Sequence, residues 1–517
     1  MFHTARFRRL EVCCHSRLLF QPRQTYTRSH PLPPPRWQSR RLYSIPRSLG
    51  RTWNSTLTRG IITTTVLAGA GLSFAFLTSR PLRLDDGDMW LGDSQIEERY
   101  VPPIAPYTIE EATEALRWEE ASHMVGMGSG VLRFDRTRIP SNYPTEDDYL
   151  AATGREDDVI KWGMWGVFDG HCGWETAVTL ESYLVKYLVR ELLALSPSNA
   201  LGDIAIQDVD RGMRKAFLSL DRDIMDLAAK AAQGPTFLND AMSQLSPAYA
   251  GSCALVGFYH TDSQQIKVAC VGDSRAVLGR KNSDGEWEAI PLSEDQNGWN
   301  ADEVARLQAE HPDEPEMIKN GRVLGLAVSR AFGDSRWKWP RELQEQAEKR
   351  FFGPRMREHT LTPPYLTADP VITTTRIEPE KGDFVVLATD GLWENLSSEQ
   401  VVYLVGQWLE KHDPAEEPMP RDLARTPTAM RGKRISSRKN PNPNMEYSSR
   451  TPLDINDFVV VDDNAATHLA RNALGGGNED LLCGRLTPIA PLARSVRDDI
   501  TIQVVFFGDD GTTIPNY

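Results

Sequence analysis

Trp165-Gly-Val-Phe-Asp169-Gly-His-Cys-Gly173 runs from an apolar stretch of strand length straight into an aspartate and a glycine-rich turn. Such an order presents a carboxylate at the mouth of a buried strand, on backbone free to bend around it. The arrangement recurs at Phe384-Val-Val-Leu-Ala-Thr-Asp390-Gly-Leu-Trp393, and a third pair, Asp498-Asp499, immediately precedes Ile500-Thr-Ile-Gln-Val-Val-Phe-Phe507. A turn explains any single Asp-Gly. Three acidic strand ends in one chain point instead to hard divalent cations, which take oxygen ligands and which carboxylates from separate strands hold as a pair about 3.5 to 4 Å apart. Hydrolysis of phosphate esters is the chemistry such a pair performs.

Outward from these ends the chain reads as alternating strands and helices without an internal repeat. Strands are expected at Gly163 to Phe168, Ser252 to Tyr259, Ile266 to Val271, Val371 to Ile377, Phe384 to Ala388 and Ile500 to Phe507. Helices are expected at Glu175 to Leu195, Gln207 to Ala232, Ala301 to Glu310, Ser397 to Lys411 and Asn464 to Leu474. Leu180, Leu184, Tyr187, Leu188 and Leu192 recur at helical spacing and belong to a core. His412 to Leu453 is rich in Pro, Arg, Lys and Ser with little apolar periodicity, and reads as a disordered surface insertion.

The chain has 517 residues, 40% hydrophobic and 25% charged, enough for one large domain or two ordinary ones. Its net charge of -13 is unevenly spread. Residues 1–84 hold 14 Arg, no Lys and a single acid, Glu11, so that +13 at the head leaves about -26 for the body. A body so acidic argues against nucleic-acid binding. The Arg-, Ser- and Thr-rich head fits a mitochondrial transit peptide over 1–59. Ile61 to Ser79 is an uncharged run of 19 residues, just long enough to cross a bilayer, so 60–80 is a candidate transmembrane anchor in the inner membrane. Residues 81–106 then form a linker and 107–510 the folded domain, facing the matrix or the intermembrane space. Cys172, Cys253, Cys270 and Cys483 are far apart and lack Cys-x-x-Cys spacing, which argues against zinc and a disulfide framework.

Six motifs in this order resemble the metal-dependent serine/threonine protein phosphatases of the PPM or type 2C class: Val-Phe-Asp169-Gly-His, Gly251-Ser-Cys-Ala, Val271-Gly-Asp-Ser-Arg275, Leu326-Ala-Val-Ser-Arg-Ala-Phe-Gly-Asp334, Ala-Thr-Asp390-Gly-Leu-Trp-Glu and Arg497-Asp-Asp-Ile. The likeness spans roughly Tyr107 to Gly508. It implies an α+β fold, a central antiparallel β-sandwich flanked by helices on both sides in four αββα layers, with metals in a cleft at one end. It also implies two Mg²⁺ or Mn²⁺ ions per site, with a third in some members, and hydrolysis of phosphoserine or phosphothreonine through a dinuclear-metal-activated water.

Carried residue by residue, the resemblance makes Asp169 the carboxylate shared by both ions and Gly170 the donor of a backbone carbonyl. Glu146, with Asp147 beside it, matches the upstream acidic ligand, Asp390 and Asp498 complete the second ion's shell, and Asp273 and Asp334 would serve a third. His171 becomes the general acid that protonates the leaving oxygen. Where many members place a phosphate-gripping arginine, this chain has Asn142, and a neutral amide grips a dianion less tightly. Asn-x-Pro-x-Glu-Asp at that point, with Ser329 to Pro340 and Thr362 to Pro370, resembles the mitochondrial pyruvate dehydrogenase phosphatase catalytic subunits. The substrate implied is a phosphoprotein, the pyruvate dehydrogenase complex, and the sequence identifies no regulatory subunit. The competing readings are a phosphatase of other mitochondrial proteins and a catalytically silent binding protein of the same fold, whose signature would be a missing ligand.

Overall fold

Strands that carry apolar residues on both faces must be covered on both sides, and the long apolar runs of this sequence are the middle strands of two sheets. The computed structural model describes residues 105–508 apart from 126–128, 157–158, 199, 358–359, 417–452 and 454, together with Glu11–Val12. The Arg-rich head, the candidate anchor at 60–80, most of the 81–106 linker and nearly all of the 412–453 insertion lie outside the described residues. Among the described residues, no helix is long and apolar enough to cross a membrane.

With long strands numbered along the chain, the first sheet runs from Glu11–Val12 through β3 (Asp148–Glu156), β4 (Val159–Phe168), β5 (Ala254–His260), β6 (Gln265–Val271) and β9 (Val371–Arg376). The second runs β8 (Trp287–Pro291), β7 (Arg275–Lys281), β10 (Phe384–Ala388), β11 (Ile500–Phe507), β2 (Val131–Ile139), β1 (Ala121–Met124). Every pairing in both is antiparallel. Side-chain alternation divides the core into three apolar layers. Trp165, Val167, Leu255 and Val268 of the first sheet meet Leu278, Val385, Leu387, Val505 and Phe507 of the second, so the sheets pack face to face. Met164, Phe168, Val256 and Phe258 turn outward onto α2 (Glu175–Leu193), α3 (Ile206–Gln233), α4 (Leu238–Tyr249) and α6 (Arg341–Phe351). Val386, Ile502, Val504 and Phe506 turn the other way, onto α1 (Ile109–Leu116), α7 (Ser398–Leu409), α8 (Ala465–Leu474) and α9 (Glu479–Leu486). The layers are therefore αββα, as the resemblance implies, with α5 (Ala301–Glu310) outside them in a small cluster around Leu307, Met317 and Tyr365.

All six expected strands and five expected helices are present, with ends shifted by a few residues. Residues 252–253 separate from β5 because Gly251–Ser252 pairs instead with Gly170–His171 and Phe332–Gly333. β2, which was not expected, carries polar residues on an inward face. Arg133 and Asp135, both buried, form a two-pronged ion pair at 2.6 and 2.8 Å, and the N–H of Ala465 at the start of α8 donates to Asp135 at 2.7 Å. Such a pair adds little net stability, but removing one partner strands a charge at a cost of about 3–5 kcal/mol.

His468 shows how tightly the outer layer is closed. Its ring is fully buried in α8, with Nε2 3.0 Å from the Leu404 carbonyl and Nδ1 3.2 Å from the Asn472 amide nitrogen. These partners suit a neutral ring that donates at Nε2 and accepts at Nδ1. Burial pushes its pKa down to about 4, against the opposing pull of Asp462. An unfolded histidine takes its proton near pH 6.5, so between about 6.5 and 4 the unfolded chain binds more protons and stability falls as pH falls, by up to about 3 kcal/mol. Urea unfolding at pH 7.5 and 5 should show this loss, and His468→Gln should flatten it by about 2 kcal/mol. Equal pH dependence in the two proteins would show that this ring is not the source.

Candidate active site

The two sheets end together on one side, and three carboxylates meet there. β4 delivers Asp169, the turn that carries the chain from β6 in one sheet to β7 in the other delivers Asp273, and β10 delivers Asp390 at the head of the helical turn Asp390–Trp393. One carboxylate oxygen from each lies within 4.8 Å of the others. The Cys253 N–H donates to the Asp169 carbonyl at 2.8 Å, the Cys253 thiol to Asp273 at 3.4 Å, and the Asp390 N–H to the Asp169 carboxylate at 3.4 Å. Burial first, then repulsion from Asp390, Asp147 and Asp273, holds Asp169 well above the usual carboxylate range. Burial and Asp273 push Asp390 up to about 7, and burial raises Asp273. Three like charges out of water and within reach of one another are unfavourable alone and favourable around a divalent cation. The donor set, all oxygen, suits Mg²⁺ or Mn²⁺.

A second ring of groups surrounds the three. Glu146 accepts from the Gly173 N–H at 2.7 Å with one oxygen and from the Asn142 amide at 2.7 Å with the other. Asn142 thus braces Glu146, and its amide is already engaged. Asp147 is buried, takes a bond from the Thr389 hydroxyl at 2.9 Å and does not join the trio, although its charge acts on Asp169. Gly170 lies so close to this loop that a Cβ there would come 2.2 Å from the Glu146 carbonyl oxygen. Asp498 is bonded to Arg494 and does not join the trio. Its neighbour Asp499 is the functional residue that sequence reasoning missed. It is buried, and it accepts from the N–H and hydroxyl of Ser141 and the N–H groups of Asn142 and Glu146, clamping the Glu146 loop to the start of β11. A doubled Asp before a strand was the available signal, but nothing in a doublet says which member turns inward.

His171 follows two residues after Asp169, and its Nε2 lies 2.7 Å from an Asp334 oxygen. Asp334 is fully buried, and its other oxygen has no hydrogen-bond partner. Burial favours the neutral imidazole, but Asp334, and beyond it Asp273 and Glu146, outweigh it and hold His171 above its usual range. Gly251 makes this pair possible, because a Cβ there would stand 2.2 Å from His171 Nε2 and 2.3 Å from the Asp334 carboxylate. The structure therefore brings Asp169, Asp273 and Asp390 into one cluster, and couples Asp334 to His171.

The family model described as Protein phosphatase 2C matches residues 142–430, a span that takes in Asn142, Glu146, Asp169, His171, Asp273, Asp334 and Asp390. The chain is 40% identical over 387 residues to a protein phosphatase 2C homolog of Schizosaccharomyces pombe, an alignment covering 74% of this chain and 81% of that one. It is 36% identical over 420 residues to the mitochondrial pyruvate dehydrogenase (acetyl-transferring) phosphatase 1 of Saccharomyces cerevisiae, covering 76% and 72%. To the Homo sapiens protein of the same description it is 32% identical over 447 residues, covering 73% and 78%.

Because Asp390 is pushed up to about 7 and Asp169 well above the usual carboxylate range, binding a divalent cation should release protons. Calorimetric titration with Mn²⁺ at pH 6.5, in buffers of different ionisation enthalpy, should record release of about one proton per chain, less at pH 8, with less again from Asp390→Asn. A heat independent of the buffer would overturn this account of the cluster.

Proposed function

We propose that this chain, which belongs to the protein phosphatase 2C family, removes phosphate from serine or threonine of the pyruvate dehydrogenase complex in mitochondria, using two Mg²⁺ or Mn²⁺ ions. Membership of the family makes it a metal-dependent protein serine/threonine phosphatase. The convergence of Asp169, Asp273 and Asp390 from three strand ends is the observation that carries the mechanism. The likeness to mitochondrial pyruvate dehydrogenase phosphatases, over 76% of this chain and 72% of the yeast protein, supports the substrate and the organelle, as does the acid-poor, Arg-rich head.

In this reading Asp169, the Gly170 carbonyl, Glu146, Asp390 and Asp498 would hold the two ions. Asp273, with the free oxygen of Asp334, would serve a third. Bound there, divalent ions supply charge neutralisation for the phosphoryl group and activation of the attacking water. His171 would hold the proton that the departing serine or threonine oxygen needs, and Asp334 orients the ring and favours its protonated form. Asn142 and the Asp499 clamp keep Glu146 in register with Asp169.

Hydrolysis of a phosphothreonine peptide should require Mn²⁺ or Mg²⁺ and stop with chelator, and Asp169→Asn should lower kcat/KM about a thousandfold or more, the loss of several kcal/mol of transition-state stabilisation. Activity that survives chelation and the substitution would sink the mechanism. Turnover of the peptide without turnover of phosphorylated pyruvate dehydrogenase would leave the mechanism standing and remove the substrate. Protease treatment of mitochondria should leave the body intact after outer-membrane rupture, as a matrix enzyme requires. Digestion on rupture alone would move it to the intermembrane space and favour other mitochondrial substrates.

A further inference from the structure

With Asn142 bonded to Glu146, the side chain standing where relatives of this family place a phosphate-gripping arginine is neutral and has one of its amide N–H groups engaged. Other arginines along the same motifs are committed as well. Arg330 is locked to Glu303 at 2.6 Å, Arg275 to Asp295 at 2.6 Å, and Arg494 is bonded to Asp498. Two are not. Arg336 sits on the four-residue helix Ser335–Lys338 that begins directly after Asp334, the partner of His171. Arg357 approaches the same place from the segment after α6. The two guanidinium carbons lie 5.7 and 5.6 Å from the centre of the Trp337 ring.

Neither arginine has an acidic or hydrogen-bonding partner among the described residues, although Nε of each is buried, and so is the unpartnered indole N–H of Trp337. Three buried donors without an acceptor in one spot are unusual in a folded protein. Burial and the facing Arg357 pull Arg336 below the usual guanidinium range, and both cations act on Cys172, the residue next to His171. The platform is rigid. Trp337 is buried, and Lys338 on the same short helix is tied to Asp221 at 2.7 Å. Two like charges that share one aromatic ring and act on one another, in a body of strongly negative charge, suit an oxyanion.

We infer that Arg336 and Arg357 form a phosphate-binding subsite beside His171, which grips a phosphate of the phosphoprotein substrate in place of the arginine missing at Asn142. The inference rests on the phosphatase reading above, but its first test does not depend on turnover. Inorganic phosphate titrated calorimetrically into the full chain with excess EDTA present has no metal to bind. The natural protein should bind it, Arg336→Gln with Arg357→Gln should weaken binding about tenfold or more, and the paired Arg→Lys protein should fall between, because lysine keeps the charge and loses the fork. Binding that is absent in the natural protein, or equal in it and the Gln pair, overturns the subsite even if the enzyme turns over normally. Failure of the natural protein to hydrolyse phosphopeptides would instead remove the functional reading. The steady-state arm identifies which phosphate is held. A KM raised about tenfold by the Gln pair for a singly phosphorylated peptide and for p-nitrophenyl phosphate assigns the reacting phosphate. A rise confined to a doubly phosphorylated peptide assigns a neighbouring one. An unmoved KM for all three overturns the proposal, and an unchanged thermal midpoint in the variants separates these effects from a loss of fold.

Discussion

Mutual repulsion among buried carboxylates is the constraint on which this structure turns. Asp169, Asp273 and Asp390 would relax apart if any of the three backbones that bear them could move, since each gains by leaving the others for water. They are held because each stands at the end of a strand whose side chains are buried on both faces. Fully burying one valine, leucine or phenylalanine contributes roughly 1.5–3 kcal/mol, and β4, β5, β10 and β11 each bring several. Apolar packing on this scale can hold like charges together. The cation that neutralises them does not have to assemble the site.

Around this strained centre the polar groups act chiefly as braces. Asp499 gathers donors from residues 141, 142 and 146, Asn142 fixes one oxygen of Glu146, and Thr389 reaches across to Asp147 while its hydroxyl takes the Thr501 N–H. These bonds join the two sheets at their shared end. Gly251 and Gly170 serve in the opposite sense, by leaving space that any side chain would fill. The positions of His171, Asp334 and Glu146 thus depend as much on two glycines as on the polar braces around them.

The parts of the fold legible in sequence were those where one signal dominated. β4, β6, β10 and β11 are apolar on both faces and read as continuous runs. β2 was illegible because Arg133 and Asp135 satisfy each other inside the protein, so a stretch that looks like solvated surface is interior. β3 and β7 carry charges near their ends, and α6 shows only Leu343, Ala347 and Phe351, a stripe too narrow to stand out among its charges. Pro247 inside α4 hid that helix in the same way. At the site, the Asp-Gly turns made Asp169 and Asp390 visible. That Asp273 stands beside Asp169 and Asp390 was not legible, because the crossing of the chain between sheets is a fact of topology and not of local pattern. Arg336 and Arg357 had no signal, since an unpaired arginine looks like any other until its neighbours are known.

The Asp499 clamp has a bearing on how the protein comes into being. Ser141 and Asp499 are 358 positions apart, and β11, which follows Asp499 at once, is a middle strand of the second sheet, between β10 and β2. A ribosome or an import channel delivers the chain in one direction, so Asp169 and His171 emerge long before the strand that locks Glu146 beside them. Until β11 inserts, the second sheet has a gap at its centre and the carboxylates have no fixed geometry. Hydrolytic competence is therefore withheld from every partial chain. A nascent phosphatase cannot act on bystanders along its route, and it gains its activity only when its last strand arrives.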